Sequence, residues 1–171
     1  MKKVLLGLLG IIVIVVSYIA YKELSFSPLK KNNFKKLFKG DNISFDKSYS
    51  KDFLGPNVHG DVFEIYEYKM KGVAIDKDYP RITEWENKKI TDATVIGKWK
   101  NCPIDSQTAA LYESSMLKAK NLDDFKYSNS FKKDIINPNN FYSYVYFSES
   151  EEYFLLYCTD RQELWYVRLR L

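Results

Sequence analysis

FYSYVYFS at 141–148, YFLLYCT at 153–159 and ELWYVRLRL at 163–171 are the runs that decide the fold. Each run is rich in aromatic and β-branched residues, which favour the pleated, half-buried surface of a sheet. A Ser/Glu segment separates the first two runs, and a short polar turn at 160–162 separates the last two. The spacing predicts three antiparallel strands connected as a meander.

Segments upstream extend this pattern. Residues 61–70 alternate apolar and polar side chains but change face at the midpoint, so we expect a strand that is bulged or buried on both faces. Further strands are predicted at 81–86 and 91–100. The chain from 41 to 60 shows turn signals and at most short-strand character.

Helical periodicity is found in two places. Residues 106–120 carry an apolar stripe at helical spacing, with Asp105 or Ser106 as the cap, and a short helix is expected near 131–136. Together with the strands, these patterns predict that residues 41–171 form an α+β domain. Its mostly antiparallel sheet would have about five to seven strands, with one helix packed on a face.

The first 21 residues predict a membrane anchor. Residues 4–20 are 17 consecutive uncharged and mostly apolar residues. As a helix they would extend roughly 26 Å, close to the ~30 Å hydrocarbon core of a bilayer. Lysines and tyrosines at the ends of such a helix place their polar groups among the lipid head groups. The residues with this membrane-flanking role are Lys2, Lys3, Tyr18, Tyr21 and Lys22.

A cleaved secretory signal is the alternative, because Lys2 and Lys3 also form a suitable n-region. A cut after Ala20 would place Tyr18 at the −3 position, where a small residue is required. We therefore expect an uncleaved, single-pass signal-anchor in the cell (inner) membrane, with a secreted or periplasmic protein as the alternative. Lysines on both sides of the apolar segment leave its direction contested. The short N-terminal tail resembles an export signal, which favours a C-terminal domain outside the cytoplasm.

Residues 22–40 are predicted to include a juxtamembrane basic amphipathic helix. Ser27-Pro28 is a typical helix start and Gly40 a typical stop. Between them, the apolar side chains occupy one half of the helical wheel and most lysines occupy the other. Such a helix either lies on anionic head groups or packs its apolar face on the domain and leaves its lysines in water.

The net charge of +4 is local to the N-terminal region. After Gly40 the chain contains 18 Lys and Arg residues against 21 Asp and Glu residues. The domain therefore has no excess of positive charge with which to attract a polyanion. We predict no nucleic-acid binding. The expected partners are a membrane, through residues 4–20, and a protein of unknown identity.

Residues that could support catalysis are few. His59 is the only histidine, and no second His or Cys stands at a spacing that would complete a metal site. We therefore predict no metal and no cofactor. Cys102 with His59 is the minimum set for a thiol nucleophile, although such a pair arises by chance in many chains. The acidic residues Glu149, Glu151 and Glu152 are expected to be solvated at the tip of a hairpin.

Cys102 and Cys158 are the only cysteines. In a domain outside the cytoplasm they are a candidate disulfide, which would close a loop of about fifty residues. Two buried free thiols are equally consistent with the sequence, because spacing alone cannot place them within bridging distance.

A row of tyrosines is the best candidate for a functional surface. Tyr142, Tyr144 and Tyr146 project from the same face of one predicted strand. Exposed tyrosines give a large contact area at low entropic cost, whereas buried ones would be core side chains. Arg168 and Arg170 would either rim this face or pair with the loop glutamates, depending on the strand register.

The sequence therefore predicts a membrane-anchored, non-enzymatic binding or interaction module of unknown ligand. One alternative is an accessory subunit whose anchor is itself the interface with a larger membrane complex. A second alternative is a small thiol- or metal-dependent enzyme that uses Cys102 and His59.

Overall fold

The computed structural model describes six parts of the chain. They are residues 9–18, 27–54, 60–85, 88–110, 128–148 and 151–170. The chain divides into two compact units, Met1–Lys30 and Lys31–Leu171.

The first unit contains helix α1, which is described over residues 9–18. Eight of these ten residues are large hydrophobics whose side chains are 49% to 69% exposed. Among the described residues, no helix combines the length and the hydropathy needed to cross a membrane. The remainder of the predicted 4–20 segment, with flanking residues Lys2, Lys3, Tyr21 and Lys22, lies outside the described residues.

The second unit contains the sheet. Its described strands are β1 Ser44–Asp52, β2 Val62–Lys71, β3 Glu84–Trp85, β4 Lys88–Lys89, β5 Val95–Ile96, β6 Lys100–Asn101, β7 Phe141–Ser148, β8 Glu151–Cys158 and β9 Glu163–Arg170. Its described helices are α2 Lys31–Leu37, α3 at 106–110 and α4 Ser128–Asp134. The rest of the predicted 106–120 helix lies outside the described residues.

Seven strands form one sheet, in the order β1-β2-β9-β8-β7-β5, with β6 also pairing β7. Strands β3 and β4 form a separate pair. Every strand pairing in the described parts of the chain is antiparallel. The prediction of an α+β fold with a mostly antiparallel sheet of about five to seven strands is therefore confirmed, and so is the meander of β7, β8 and β9.

Strand β1 is a nine-residue strand in a stretch that was predicted to be largely irregular. It forms an edge of the sheet, and its register against β2 shifts between Lys47 and Tyr49. An edge strand rich in Ser, Lys and Asp buries little surface and therefore lacks a strong apolar alternation. The predicted strands at 81–86 and 91–100 contain only two-residue strands, because turns such as Thr91–Thr94 interrupt them.

Helix α2 covers one face of the sheet, which we call the α2 face. The ring centroid of Phe34 lies 5.2 Å from that of Tyr68 on β2. The ring centroid of Phe38 lies 5.2 Å from that of Tyr157 on β8. The apolar stripe of the predicted basic helix is therefore part of the core, as expected for an amphipathic helix on a sheet.

Helix α4 covers the opposite face, which we call the α4 face. The ring of Phe131 lies 5.7 Å from that of Trp165 and 6.4 Å from that of Phe154. The two helices have similar sequences, KNNFKKL and SNSFKKD, and each buries the phenylalanine at its fourth position. The two helices thus place the same anchoring side chain on opposite faces of the sheet.

Helix α2 begins at Lys31, later than the start predicted from Ser27 as a cap. The hydroxyl of Ser27 instead donates a hydrogen bond to the carbonyl oxygen of Leu29. At the other end, Trp99 Nε1 donates to the carbonyl oxygen of Leu37 at 2.7 Å. The last carbonyls of a helix have no partner within it, so this buried bond fastens the end of α2 to the chain that follows β5.

Gly40 and Gly72 permit a close backbone approach after α2. Lys39 and Ala74 exchange two backbone hydrogen bonds, at 3.1 and 2.8 Å. A Cβ atom on Gly40 would overlap the carbonyl oxygen of Gly72, and one on Gly72 would lie 2.6 Å from the carbonyl oxygen of Asn42. The helix stop predicted at Gly40 is therefore also a steric requirement.

Gly72→Ala should destabilise the protein more than Gly60→Ala. Gly72 and Gly60 have similar left-handed φ angles of +70° and +74°. A Cβ atom on Gly60 would have nothing within 4 Å, unlike one on Gly72. We expect Gly60→Ala to cost about 1 kcal/mol for the left-handed backbone and Gly72→Ala about 3 kcal/mol, because it adds a backbone clash. Urea unfolding of the purified full chain measures both. Equal costs would contradict the close approach.

Candidate functional site

Tyr142, the first member of the tyrosine row, is a core residue. It is 2% exposed, and its ring stacks on that of Phe154 at a centroid distance of 6.4 Å. Its hydroxyl donates a 2.7 Å hydrogen bond to Asp105 Oδ2. This tyrosine is therefore not available to a partner.

Asp105 connects that hydroxyl to the start of helix α3. Its Oδ1 accepts a 2.8 Å hydrogen bond from the backbone N–H of Thr108, which is the N-cap contact expected of this residue. Lys100 Nζ lies 3.0 Å from Asp105 Oδ2. The hydrogen bond from Tyr142, followed by those from Thr108 and Lys100, lowers the pKa of the Asp105 carboxyl.

Tyr144 and Tyr146 are half-buried and lie beside the exposed Val95. The ring of Tyr144 lies against Gly97, where a Cβ atom would be 2.6 Å from the ring. Tyr146 is directly opposite Val95, which is 48% exposed. We call Tyr144, Tyr146 and Val95 the tyrosine patch. It presents apolar and aromatic surface at the β5 edge of the α4 face.

Arg168 and Arg170 are not part of this patch. In the register, Tyr144 is opposite Phe154, and Phe154 is opposite Val167. Arg168 and Arg170 are one and three residues beyond Val167, so they project from the other face of the sheet, which is the α2 face. Arg168 Nη1 donates a 2.7 Å hydrogen bond to Glu64 across the β2–β9 pair. The idea that these arginines rim the tyrosine face is therefore wrong.

Arg170 is held by the backbone near the start of β2. Its Nη2 donates a 3.0 Å hydrogen bond to the carbonyl oxygen of Gly60. The positive charge of Arg170 also contributes to lowering the pKa of Glu151, which is its cross-strand partner. Arg170 and Glu151 are therefore neighbours across the β8–β9 pair, and the charge of the arginine favours the ionised form of the glutamate.

Glu151 was predicted to be solvated at a hairpin tip, and it is instead buried in β8. Its carboxylate accepts a 2.8 Å hydrogen bond from the hydroxyl of Tyr153 and forms an ion pair with Lys88. Burial would raise its pKa, but these two partners lower it. The charged carboxylate thus has a partner at each of its two oxygens. Glu152 is half-buried, and Glu149 lies outside the described residues.

Cys102 and Cys158 are buried free thiols, so the candidate disulfide is not formed. Burial, with the nearby Asp134 carboxylate, raises the pKa of Cys102 to about 12 and also raises that of Cys158. A nucleophilic cysteine needs the opposite shift, because the thiolate is the reactive form. His59, its proposed partner, lies outside the described residues. Among those that are described, no His, Cys, Asp and Glu cluster could hold a metal ion.

An ionic network at the β8–β9 turn was not predicted. Arg161 donates to both carboxylate oxygens of Asp134, at 3.2 and 2.6 Å, and its Nε donates to Glu163 at 2.6 Å. The sequence indicated only a turn here, because the spacing of Asp134 and Glu163 along the chain does not identify them as partners of Arg161. The network fastens α4 to the sheet and places no reactive group in a cleft.

Comparison with known protein families, with curated proteins and with solved structures finds no match.

Tyr142→Phe should destabilise the protein at neutral pH by about 2 kcal/mol, because it removes a hydrogen bond to a charged carboxylate. The pKa of Asp105 lies below its ordinary value of 3.8. The free energy of folding that comes from the ionised Asp105 carboxyl is therefore present above about pH 4 and is lost as pH falls through the lowered pKa. The penalty should accordingly be retained down to about pH 4 and shrink at about pH 2, where the folded carboxyl begins to take up a proton. Urea unfolding at both pH values measures it.

Tyr144→Phe is the matched control. Its hydroxyl makes no hydrogen bond within the described parts of the chain, so its removal should change stability by less than about 0.5 kcal/mol at either pH. A penalty for Tyr142→Phe that is independent of pH would show that Asp105 is not its cause.

Proposed function

We propose that the chain is a membrane-anchored, non-enzymatic module that binds a protein partner. The observation that carries this proposal is the exposed hydrophobic surface of α1. Residues 11–16 are six consecutive aliphatic residues, all exposed, and six consecutive residues cover every side of a helix. A helix that is apolar on all sides needs a lipid or protein environment.

The tyrosine patch supports the binding role. Half-exposed aromatic rings beside an exposed valine are the composition that protein interfaces favour. The contact between Tyr144 and Gly97 limits the motion of the ring, and a preordered ring loses less entropy when a partner binds. The partner is accordingly a protein or peptide that contributes an apolar side chain.

The buried state of the thiols supports a role without catalysis. Cys102 is 3% exposed and its pKa is raised to about 12, so almost none of it is thiolate at neutral pH. Arg161 and Arg168 are engaged in ion pairs with Asp134, Glu163 and Glu64 that fasten elements together. We place the chain in the cell membrane with residues 41–171 outside the cytoplasm.

Ile12→Lys combined with Ile14→Lys should release the chain from membranes. A lysine near the centre of a membrane helix costs about 2.5–3.5 kcal/mol, so two should abolish stable association. Flotation of the full chain with vesicles on a density gradient measures the bound fraction.

Ile136→Lys is the control, because this isoleucine is 63% exposed in the second unit and its replacement should leave flotation unchanged. If the double variant floats like the wild type, residues 4–20 are not the anchor. If an unrelated apolar span of equal length restores membrane binding but not function, the span itself is the interface of an accessory subunit.

A photo-cross-linking residue in place of Tyr146 should capture a discrete partner in native membranes, whereas the same residue at Ile136 should not. Adding Tyr144→Ala should reduce the yield at position 146 by about tenfold or more, as expected for an interface hot spot. Electrophoresis and mass spectrometry of the cross-linked species measure this yield. Equal capture at both positions would contradict a role for the tyrosine patch.

A further inference from the structure

The outer side of α2 carries a concentration of positive charge. Residues 27–40 contain five lysines and no Asp or Glu. Phe34 and Leu37 are buried against the sheet, and the lysines of α2 lie outside this buried side. Lys31 and Lys35 are exposed.

Part of this charge is neutralised within the domain. Lys36 pairs with Glu84 at 3.3 Å, and Lys39 pairs with Asp76 at 3.2 Å. Lys31 and Lys35 have no ion pair in the described parts of the chain. Two adjacent turns of α2 therefore present ammonium groups to solvent.

Helix α4 shows that this charge is not required by packing on the sheet. It buries Phe131 as α2 buries Phe34, and it also carries two exposed lysines, Lys132 and Lys133. Helix α4 ends in Asp134, which Arg161 holds. Helix α2 contains three lysines and no acid, whereas α4 contains two lysines and Asp134, so the net charge of α2 is larger although its packing role is the same.

We propose that the outer side of α2 docks on the anionic head groups of a lipid bilayer. This inference rests on the proposed function, because the anchor brings the helix to the membrane. Only twelve residues separate Tyr18 from Lys31, so a bilayer that holds residues 4–20 keeps α2 at high local concentration near its surface. Each lysine close to an anionic surface favours binding about fivefold, so Lys31 and Lys35 together contribute roughly 25-fold.

Docking through α2 has a consequence for the binding surface. The tyrosine patch lies on the α4 face, and α2 covers the opposite face of the same sheet. With α2 on the head groups, the patch faces away from the bilayer and is open to a partner in the aqueous phase.

The test uses the full chain in vesicles of phosphatidylcholine alone and of phosphatidylcholine with about 30 mol% phosphatidylglycerol. Amide hydrogen exchange of Lys31–Leu37, followed by mass spectrometry, reports docking. We expect exchange to slow at least fivefold in the anionic vesicles, and high salt should remove the effect. Lys31→Glu combined with Lys35→Glu should abolish the slowing, whereas the matched variant Lys132→Glu with Lys133→Glu should retain it.

The outcomes separate this inference from the proposed function. If the chain floats with both kinds of vesicle but α2 exchanges equally in each, docking is overturned and the anchor stands. If it floats with neither, the anchor itself fails. If soluble polyglutamate slows α2 exchange as strongly in neutral vesicles as anionic lipid does, the surface takes an acidic protein, and the lipid proposal is overturned.

Discussion

Burial on both faces of β8 and β9 is the constraint on which the second unit depends. Nearly every residue of these strands is buried, including Leu155 and Leu156 on opposite faces. A sheet with a single apolar face can leave its other face in water, but both faces of this sheet are apolar and both must be covered by other elements. Helix α2 contributes Phe34 and Leu37 to one cover and α4 contributes Phe131 to the other. The ion pair of Arg161 and the hydrogen bond from the Trp99 indole hold these helices in place.

The same constraint explains what the sequence could predict. The runs at 141–171 are continuous and apolar because both of their faces are buried, so their strands and their meander were predicted to within about two residues. Strand β1 is an edge strand, and its lysines and bulge are the features that keep such an edge from pairing with other chains. The lysines and the bulge interrupt the alternation of apolar and polar residues by which β1 would have been recognised as a strand.

The faces of the strands could not be predicted, because they depend on the register at the β8–β9 turn. Cys158 is opposite Glu163, so the turn contains four residues, and Gln162 adopts a positive φ of 54°. A register shifted by one residue would move every side chain of β9 to the other face, and Arg168 would then stand beside the tyrosines. Composition alone does not distinguish these registers. The alternation along β7 therefore placed the three tyrosines on one face, whereas the face of Arg168 and Arg170 could be decided only from the register.

The buried thiols also have a structural explanation. Burial raises the pKa of Cys158, and the Asp134 carboxylate, which accepts a hydrogen bond from the thiol, raises it further. That same carboxylate accepts both hydrogen bonds from Arg161. A buried carboxylate is costly unless its oxygens are satisfied, and a protonated thiol supplies one more donor than a thiolate would. Burial and the ionic network thus keep Cys158 protonated, and its thiol contributes to fastening α4 to the sheet.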